Sequence, residues 1–225
     1  MKTIKHISLW VVVATCMVAV GGRGLRRGHE ACMVAVSTRG NAQAVSSTYF
    51  NVDWQFNAPV GNSYADKASG WGMNFEGGYY VMPKMAIGAF ISYHTNNKYI
   101  DRQTLMLKSN SALTTDQQHS LFQLPFGLLA KYRFTTDGIL EPYATVKLGA
   151  NYSRMSSYLQ AWEIYDDTWG FTVSPEIGVS IFPNPSVRYG FHVALYYNYA
   201  TNKSKVLTYD IDGRNNIGFR LGVSF

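Results

Sequence analysis

Apolar and polar side chains alternate with a period of two along most of the chain beyond residue 48, the spacing at which a β-strand separates its two faces. Eight apolar rows can be read. The first four are Phe50, Val52, Trp54, Phe56; Trp71, Met73, Phe75, Gly77, Tyr79, Val81; Met85, Ile87, Ala89, Ile91, Tyr93; and Phe122, Leu124, Phe126, Leu128, Ala130, Tyr132. The second four are Ala144, Val146, Leu148, Ala150, Tyr152; Phe171, Val173, Ile177, Val179, Ile181; Tyr189, Phe191, Val193, Leu195, Tyr197, Tyr199; and Ile217, Phe219, Leu221, Val223, Phe225. An even number of strands allows antiparallel closure with both ends on one side. Beyond the N-terminal region no apolar run approaches the roughly 18 residues of a membrane helix, so strands are the elements that would cross a bilayer.

The connections alternate in length. Residues 82–84, 135–141 and 182–186 are short and rich in Pro, Gly, Asp and Asn, and predict tight turns. Residues 57–69, 95–119, 155–168 and 201–215 are longer and polar, and predict loops at the opposite end. The pattern therefore predicts an all-β fold: an eight-stranded antiparallel up-and-down transmembrane β-barrel over residues 45–225.

The alternate row of each strand then lines the interior. It carries small and neutral residues such as Gly78, Gly88, Gly127, Gly149, Asn51, Gln55, Asn74, Gln123 and Asn151, as a narrow eight-stranded barrel requires. The same row carries Asp53, Glu76, Lys131, Arg133, Lys147, Glu176, Arg188, His192 and Arg220. Facing lipid, Arg or Lys would cost about 2–4 kcal/mol each at the bilayer midplane, so their common face fixes the register. Two readings follow. Acids and bases pair in a packed interior, or their unequal numbers leave a polar conduit for small solutes.

Aromatic residues crowd the strand ends: Tyr49, Trp71, Tyr93, Tyr132, Phe134, Tyr143, Tyr152, Trp169, Tyr199 and Phe225. Rings with a polar tip settle at headgroup depth, so these residues predict two girdles. Pro125 and Pro175 fall inside strands and lack the N–H a ladder needs. A bulge or a local gap is expected at each.

The N-terminal region changes the bulk numbers. Lys2, Lys5 and His6 precede an apolar stretch at residues 7–20, and Ala42-Gln43-Ala44 offers a small-residue cleavage site, so residues 1–44 read as a removed secretory signal region. It contains an apparent duplication, since residues 16–20 and 32–36 both read Cys-Met-Val-Ala-Val. The whole chain has net charge +6, but six of its 20 Lys and Arg and one of its 14 Asp and Glu precede Val45. The remainder has 14 basic against 13 acidic residues, which removes the charge argument for nucleic acid. Both cysteines leave with the signal region, and with them any disulfide, thiolate metal site or cysteine nucleophile. No cofactor or metal motif is present in the sequence. Catalysis would need a nucleophile beside a base. His119 and Ser120 are adjacent but point to opposite faces of a strand, and His192 has Glu176 as a candidate partner without a placed serine, so no catalytic residue is assigned.

Residues 122–134, 141–152 and the Phe-terminated last strand resemble the outer-membrane β-barrel family of OmpA and OmpX type, in the form common in Bacteroidetes, and the resemblance extends over about residues 48–225. It implies residence in the outer membrane with lipid as the surrounding partner. Phe219, Leu221, Val223 and Phe225 are similar to the signal read by the barrel-assembly machinery, with Arg220 where that signal often has Gly. The longest loop region, with Tyr99, Ile100, Arg102, Leu105 and Leu107, is the expected recognition element for a host or cell-surface ligand, and its alternation could prolong strands beyond the membrane. The expected function is structural and adhesin-like. A narrow porin-like channel is the alternative, and a lipid-modifying enzyme is a further one.

Overall fold

The computed structural model describes residues 48–225 except 62, 108–110, 137, 160–161, 184–188 and 207–208; the side chains of residues 105–113 also lie outside the description. Residues 1–44, expected to be a signal region, and Arg188 fall outside it as well. The strands are β1 (Thr48–Val60), β2 (Gly72–Met82), β3 (Met85–Leu107), β4 (Ser111–Arg133), β5 (Leu140–Leu159), β6 (Trp162–Ile181), β7 (Gly190–Val206) and β8 (Tyr209–Ser224). Each pairs antiparallel with the next, and β8 returns to β1 to close a barrel. The closing seam runs from Asn51↔Ser224 to Val60↔Asn215, so the last strand completes the wall.

Alternation is what sets the register. Phe50, Trp54, Ile87, Ile91, Leu128, Leu148, Ile177, Phe191, Leu195, Ile217 and Leu221 are all exposed on the outer surface, while Asn51, Asp53, Gln55, Asn74, Glu76, Lys147 and Arg220 are buried inside. Shifting any strand by one residue would exchange these two sets, which lipid forbids. Close approach of backbones bends the wall into so small a barrel. Gly127 faces Gly149 across β4 and β5, and a Cβ on Gly127 would lie 2.2 Å from the Leu148 carbonyl oxygen. Gly178 opens the space that the Tyr143 ring fills, a small residue opposite a large one.

Three of the four expected long loops are strands instead. β3 and β4 pair as far as Leu107↔Ser111, β5 and β6 as far as Leu159↔Trp162, and β7 and β8 as far as Val206↔Tyr209. These hairpins continue well past the outer apolar rows. Beyond the bilayer both faces meet water or other polar groups, so the period-two signal fades although pairing still satisfies the backbone. Only the β1–β2 connection, residues 61–71, is an open loop, pinned at its base by the isolated bridge Asn57↔Ser69.

Both strand prolines sit at gaps, and neither makes a bulge. Pro125 keeps register with Asn151 of β5, while on the β3 side the ladder lacks pairs between Ile91↔Phe126 and His94↔Gln123. Pro175 pairs with Val146 of β5, and the β6–β7 ladder is interrupted between Val173↔Tyr199 and Glu176↔Tyr196. There Ser174 Oγ donates to the Tyr197 carbonyl at 3.0 Å, serving the acceptor opposite the missing N–H. The register shifts lie elsewhere, at residues 80–82, 100–103 and 200–203.

Candidate functional site

The barrel interior is stacked in layers along its axis. At the short-turn end Tyr49, Ala86, Phe90 and Leu129 form a buried apolar cluster with Tyr80 against it. Tyr49 and Tyr143 are therefore not girdle residues. Strand parity turns both inward with Asn51 and Lys147, and they are 9% and 1% exposed. Arg133 lies over the Tyr80 ring at 3.9 Å, binds Glu141 at 3.0 Å and donates to the Pro83 carbonyl at 2.8 Å. It closes the turn end and stands apart from the central charges.

Above this cluster lies an ion network contributed by seven strands, all but β3. Lys147 Nζ bridges Glu76 Oε2 at 2.6 Å and Glu176 Oε2 at 2.9 Å. Lys131 adds a 3.7 Å contact to Glu76 and sits 4.0 Å above the Tyr143 ring, and Arg220 pairs with Glu176 while covering the Tyr196 ring. His192 Nδ1 meets Asp53 Oδ1 at 2.8 Å, and its Nε2 contacts the Tyr143 hydroxyl, which donates to Glu176 Oε1 at 3.0 Å. Glu176 itself lies 3.9 Å from His192, so Asp53 is the closer carboxylate. Asn74 donates to Asp53 at 2.8 Å and Asn51 to Glu76 at 2.8 Å.

The sum of this layer is informative. Asp53, Glu76 and Glu176 face Lys131, Lys147 and Arg220, so the central network sets three carboxylates against three cations, with the His192 imidazole between Asp53 and Tyr143. Arg133 leaves this count because it has its own partner, Glu141, at the turn end, and Arg188 lies outside the described residues. Buried charges of this kind persist only when paired and hydrogen-bonded, and here each carboxylate has at least one cation or imidazole and one further donor.

The hairpin half is different in chemistry. Its inner wall is made of amides and hydroxyls: Asn57, Asn96, Gln123, Asn151, Thr172, Asn198, Asn202 and Asn216, all buried. Paired amides cross the lumen, as Asn57 with Asn96 at 3.0 and 3.1 Å and Asn151 with Asn202 at 2.8 Å. The one described cation here is Arg214, which is 2% exposed. The interior row of β8 continues from Arg220 through Gly218 and Asn216 to Arg214, so parity could have found it; the polar stretch 201–215 hides it by reading as a loop.

The β1–β2 loop closes this end. Tyr64 and Ala65 are fully buried and join Leu121, Met155 and Val206 in a second apolar cluster. The Tyr64 ring stacks on His119 at 4.0 Å and 9°, and its hydroxyl donates to the Ser156 carbonyl at 2.6 Å. Lys98 ties the loop from outside through the Ser63 carbonyl at 2.9 Å and Asp66 at 2.7 Å, and the ammonium holds the Asp66 carboxyl below its ordinary range. His119 Nδ1 binds the Tyr64 carbonyl at 3.0 Å, and burial pushes this imidazole below its ordinary value.

The remaining sequence-predicted residues sit at the surface. Phe219, Leu221, Val223 and Phe225 lie on the outer face of β8; Phe219 stacks on Phe56 at 5.1 Å, and Phe225 packs edge-on to Tyr189 at 5.5 Å. Tyr99 is exposed on β3, Ile100 is half-buried, Arg102 is exposed, and the side chains of Leu105 and Leu107 lie outside the description. The structure adds a second aromatic display that the sequence pattern did not isolate: Tyr158, Trp162, Ile164 and Tyr165 are exposed on the β5–β6 hairpin, Trp162 at 77%.

Comparison with known proteins agrees with this architecture. Residues 31–225 match the family model described as the outer membrane protein beta-barrel domain. No curated protein sequence matches the chain. Among solved structures, Neisserial surface protein A is similar at 18% identity and a TM-score of 0.50, over 80% of this chain and 96% of that one. OprG of Pseudomonas aeruginosa aligns at 13% identity and a TM-score of 0.41, over 79% and 93%. Ail of Yersinia pestis aligns at 13% identity and a TM-score of 0.38, over 80% and 97%. This chain belongs to the outer membrane protein beta-barrel domain family, and that family places it in the outer membrane.

Proposed function

We propose that this protein is a packed structural barrel that carries surface-recognition hairpins, adhesin-like in role, rather than a conduit. The observation that carries this reading is the closed interior: a paired ion network lies between the Tyr49–Phe90 cluster and the Tyr64–Met155 cluster. Solute would have to displace both apolar layers and separate paired charges. The hairpins, by contrast, offer contact surface. Tyr99, Trp162 and Tyr165 are exposed beyond the apolar band, and large aromatic rings are the side chains that most often anchor a partner.

An open strand edge supports the same role. β2 pairs with β3 only as far as Gly72↔His94, so among the described residues no strand pairs with the β2-facing edge of β3 beyond that point. The Thr95 N–H donates to the Trp71 carbonyl at 3.0 Å, and past that bond the edge offers an added strand the geometry of β-augmentation. The host or cell-surface ligand, the cleavage of residues 1–44 and the use of the Phe225 row by the barrel-assembly machinery belong to this proposal. His192 supports the non-enzymatic reading, since its two ring nitrogens are engaged by Asp53 and Tyr143 with no serine beside them among the described residues.

Two measurements test the reading. Replacing residues 98–118 by a short turn should preserve heat-modifiable migration and abolish binding to cell surfaces; retained binding refutes the assignment to this hairpin. Planar-bilayer recordings of the refolded protein should show no stable conductance steps. Such steps would overturn the packed interior and favour the porin-like alternative.

A further inference from the structure

The hairpin half of the interior holds a positive charge with no negative partner. Arg214 Nη2 donates to Ser204 Oγ at 2.5 Å, while Nε and Nη1 have no acceptor, and no described carboxylate forms an ion pair with it. Asp166 is near enough to interact electrostatically, but its Oδ2 takes the Lys205 backbone N–H at 2.9 Å. An unpaired guanidinium at this depth costs several kcal/mol unless an anion joins it.

Other buried side chains of this half carry donors without acceptors. Buried amide nitrogens of Gln123, Asn198 and Asn216 are unmatched, as is His94 Nε2. Local bonding fixes which atoms these are for His94 and Asn198. Gln55 Oε1 accepts from Ser92 at 3.1 Å and from Arg220 at 3.0 Å, so its Nε2 is the atom facing His94 Nδ1 at 3.2 Å. Nδ1 then accepts, and the ring proton stays on Nε2. Asn198 Oδ1 accepts from Thr172 at 2.8 Å, which leaves its nitrogen outward. Asn216 faces Asn198 in the β7–β8 ladder and lies two residues from Arg214 on the same face, and His94 faces Gln123 in the β3–β4 ladder. Arg214 is within electrostatic range of His94 and of Tyr64. Against these donors stands the unmatched amide oxygen of Asn151. The central network below cannot supply the missing anion, because its carboxylates are already bound by Lys131, Lys147, Arg220 and His192.

We propose that this half of the barrel is a binding site for a small inorganic oxyanion, held by the Arg214 guanidinium and the side-chain N–H groups of Asn198, Asn216, Gln123 and His94. A tetrahedral oxyanion fits the chemistry because its oxygens accept from several directions at once, and the donors come from four strands. Seated beneath Tyr64, the anion couples the lower hairpin walls to the cap.

Selenate and sulfate are suitable probes for the refolded protein. Crystals grown with selenate should show one anomalous peak within hydrogen-bonding distance of the Arg214 guanidinium, absent in Arg214→Met. In urea unfolding, sulfate should raise the wild-type folding constant about tenfold for each tenfold of sulfate above its dissociation constant. Arg214→Met should retain only the general stabilisation that sulfate gives any protein, and in sulfate-free buffer should be at least as stable as the wild type. Arg214→Lys, which keeps the charge but not the planar group, should respond at higher sulfate concentration. Selenate density elsewhere only, or an equal sulfate response in wild type and Arg214→Met, overturns the proposal. Should the methionine variant fail to refold, the wild-type selenate map decides alone.

Discussion

The two halves of this barrel interior bury polar groups by different means. Near the turns, three carboxylates and three cations cancel one another at distances such as 2.6 and 2.9 Å around Lys147. Near the hairpins, neutral amides pair across the lumen, and Arg214 stands among them without a carboxylate. The first arrangement is fixed by strong, mutually dependent contacts, so it tolerates no single loss. The second is built from many weaker bonds and a loop that folds in from above, so it can be altered piece by piece. The difference teaches where rigidity and adaptability reside: the membrane-embedded core is a locked scaffold, and the half facing out is the one a ligand or partner can influence.

Removing Lys147 is the strongest way to break this contrast. Lys147→Met leaves Glu76 and Glu176 facing each other in a buried site, and a loss of about 3–5 kcal/mol in global stability is expected from urea unfolding in detergent or lipid. A small effect would mean that the network is not the lock. Tyr64→Ala comes next. It empties the cap of a fully buried ring, and a local cost of about 3 kcal/mol should appear as faster hydrogen exchange and proteolysis in residues 61–71, with the global midpoint little changed. Equal loss in both measurements would show that cap and core unfold as one unit.

Acidity probes the cap more gently. His119 is held below its ordinary value of 6.5 by burial, so it binds a proton less readily beneath the closed loop than when the loop opens it to water. The open state therefore binds more protons as pH falls below about 6.5, and the cap is most stable above that pH and progressively looser below it. Protection factors of the loop amides, which divide out the intrinsic slowing of exchange toward acid, should fall from pH 8 to pH 5 in the wild type and lose that slope in His119→Asn. The smallest effect is expected at the hairpin tips. Lys203–Asp212 and Lys205–Asp210 pair at 2.7 and 2.8 Å but are fully in solvent, so Lys203→Ala and Lys205→Ala should leave the unfolding midpoint unchanged within error.

Much of the architecture is legible in the sequence because lipid imposes a strict rule. Outside the barrel the solvent is hydrocarbon, so Phe50, Ile91, Leu128, Ile177 and Leu221 must alternate with residues such as Asn51, Ser92, Gln123, Glu176 and Arg220. Strand number, strand order and the inward set follow from that alternation alone. The rule lapses where the bilayer ends. Residues 95–119, 155–168 and 201–215 read as loops although most of them are paired strands, because a strand in water needs no apolar row. Tyr49 and Tyr143 read as girdle residues because aromatic rings are welcome both at headgroup depth and inside; only their parity separates the two places.

What the tertiary structure alone decided concerns partners across the lumen. Alternation tells that Asp53, Glu76, Lys147, Glu176, His192 and Arg220 point inward, but not which of them meet, since strands distant in sequence are brought face to face by closure and shear. Closure puts His192 closer to Asp53 than to Glu176, and gives Arg133 to Glu141, apart from the central charges. It also folds Tyr64 back over the lumen and leaves Arg214 beneath it. Local periodicity fixes which face a side chain takes, whereas the contacts it makes there depend on the geometry of the whole ring of strands.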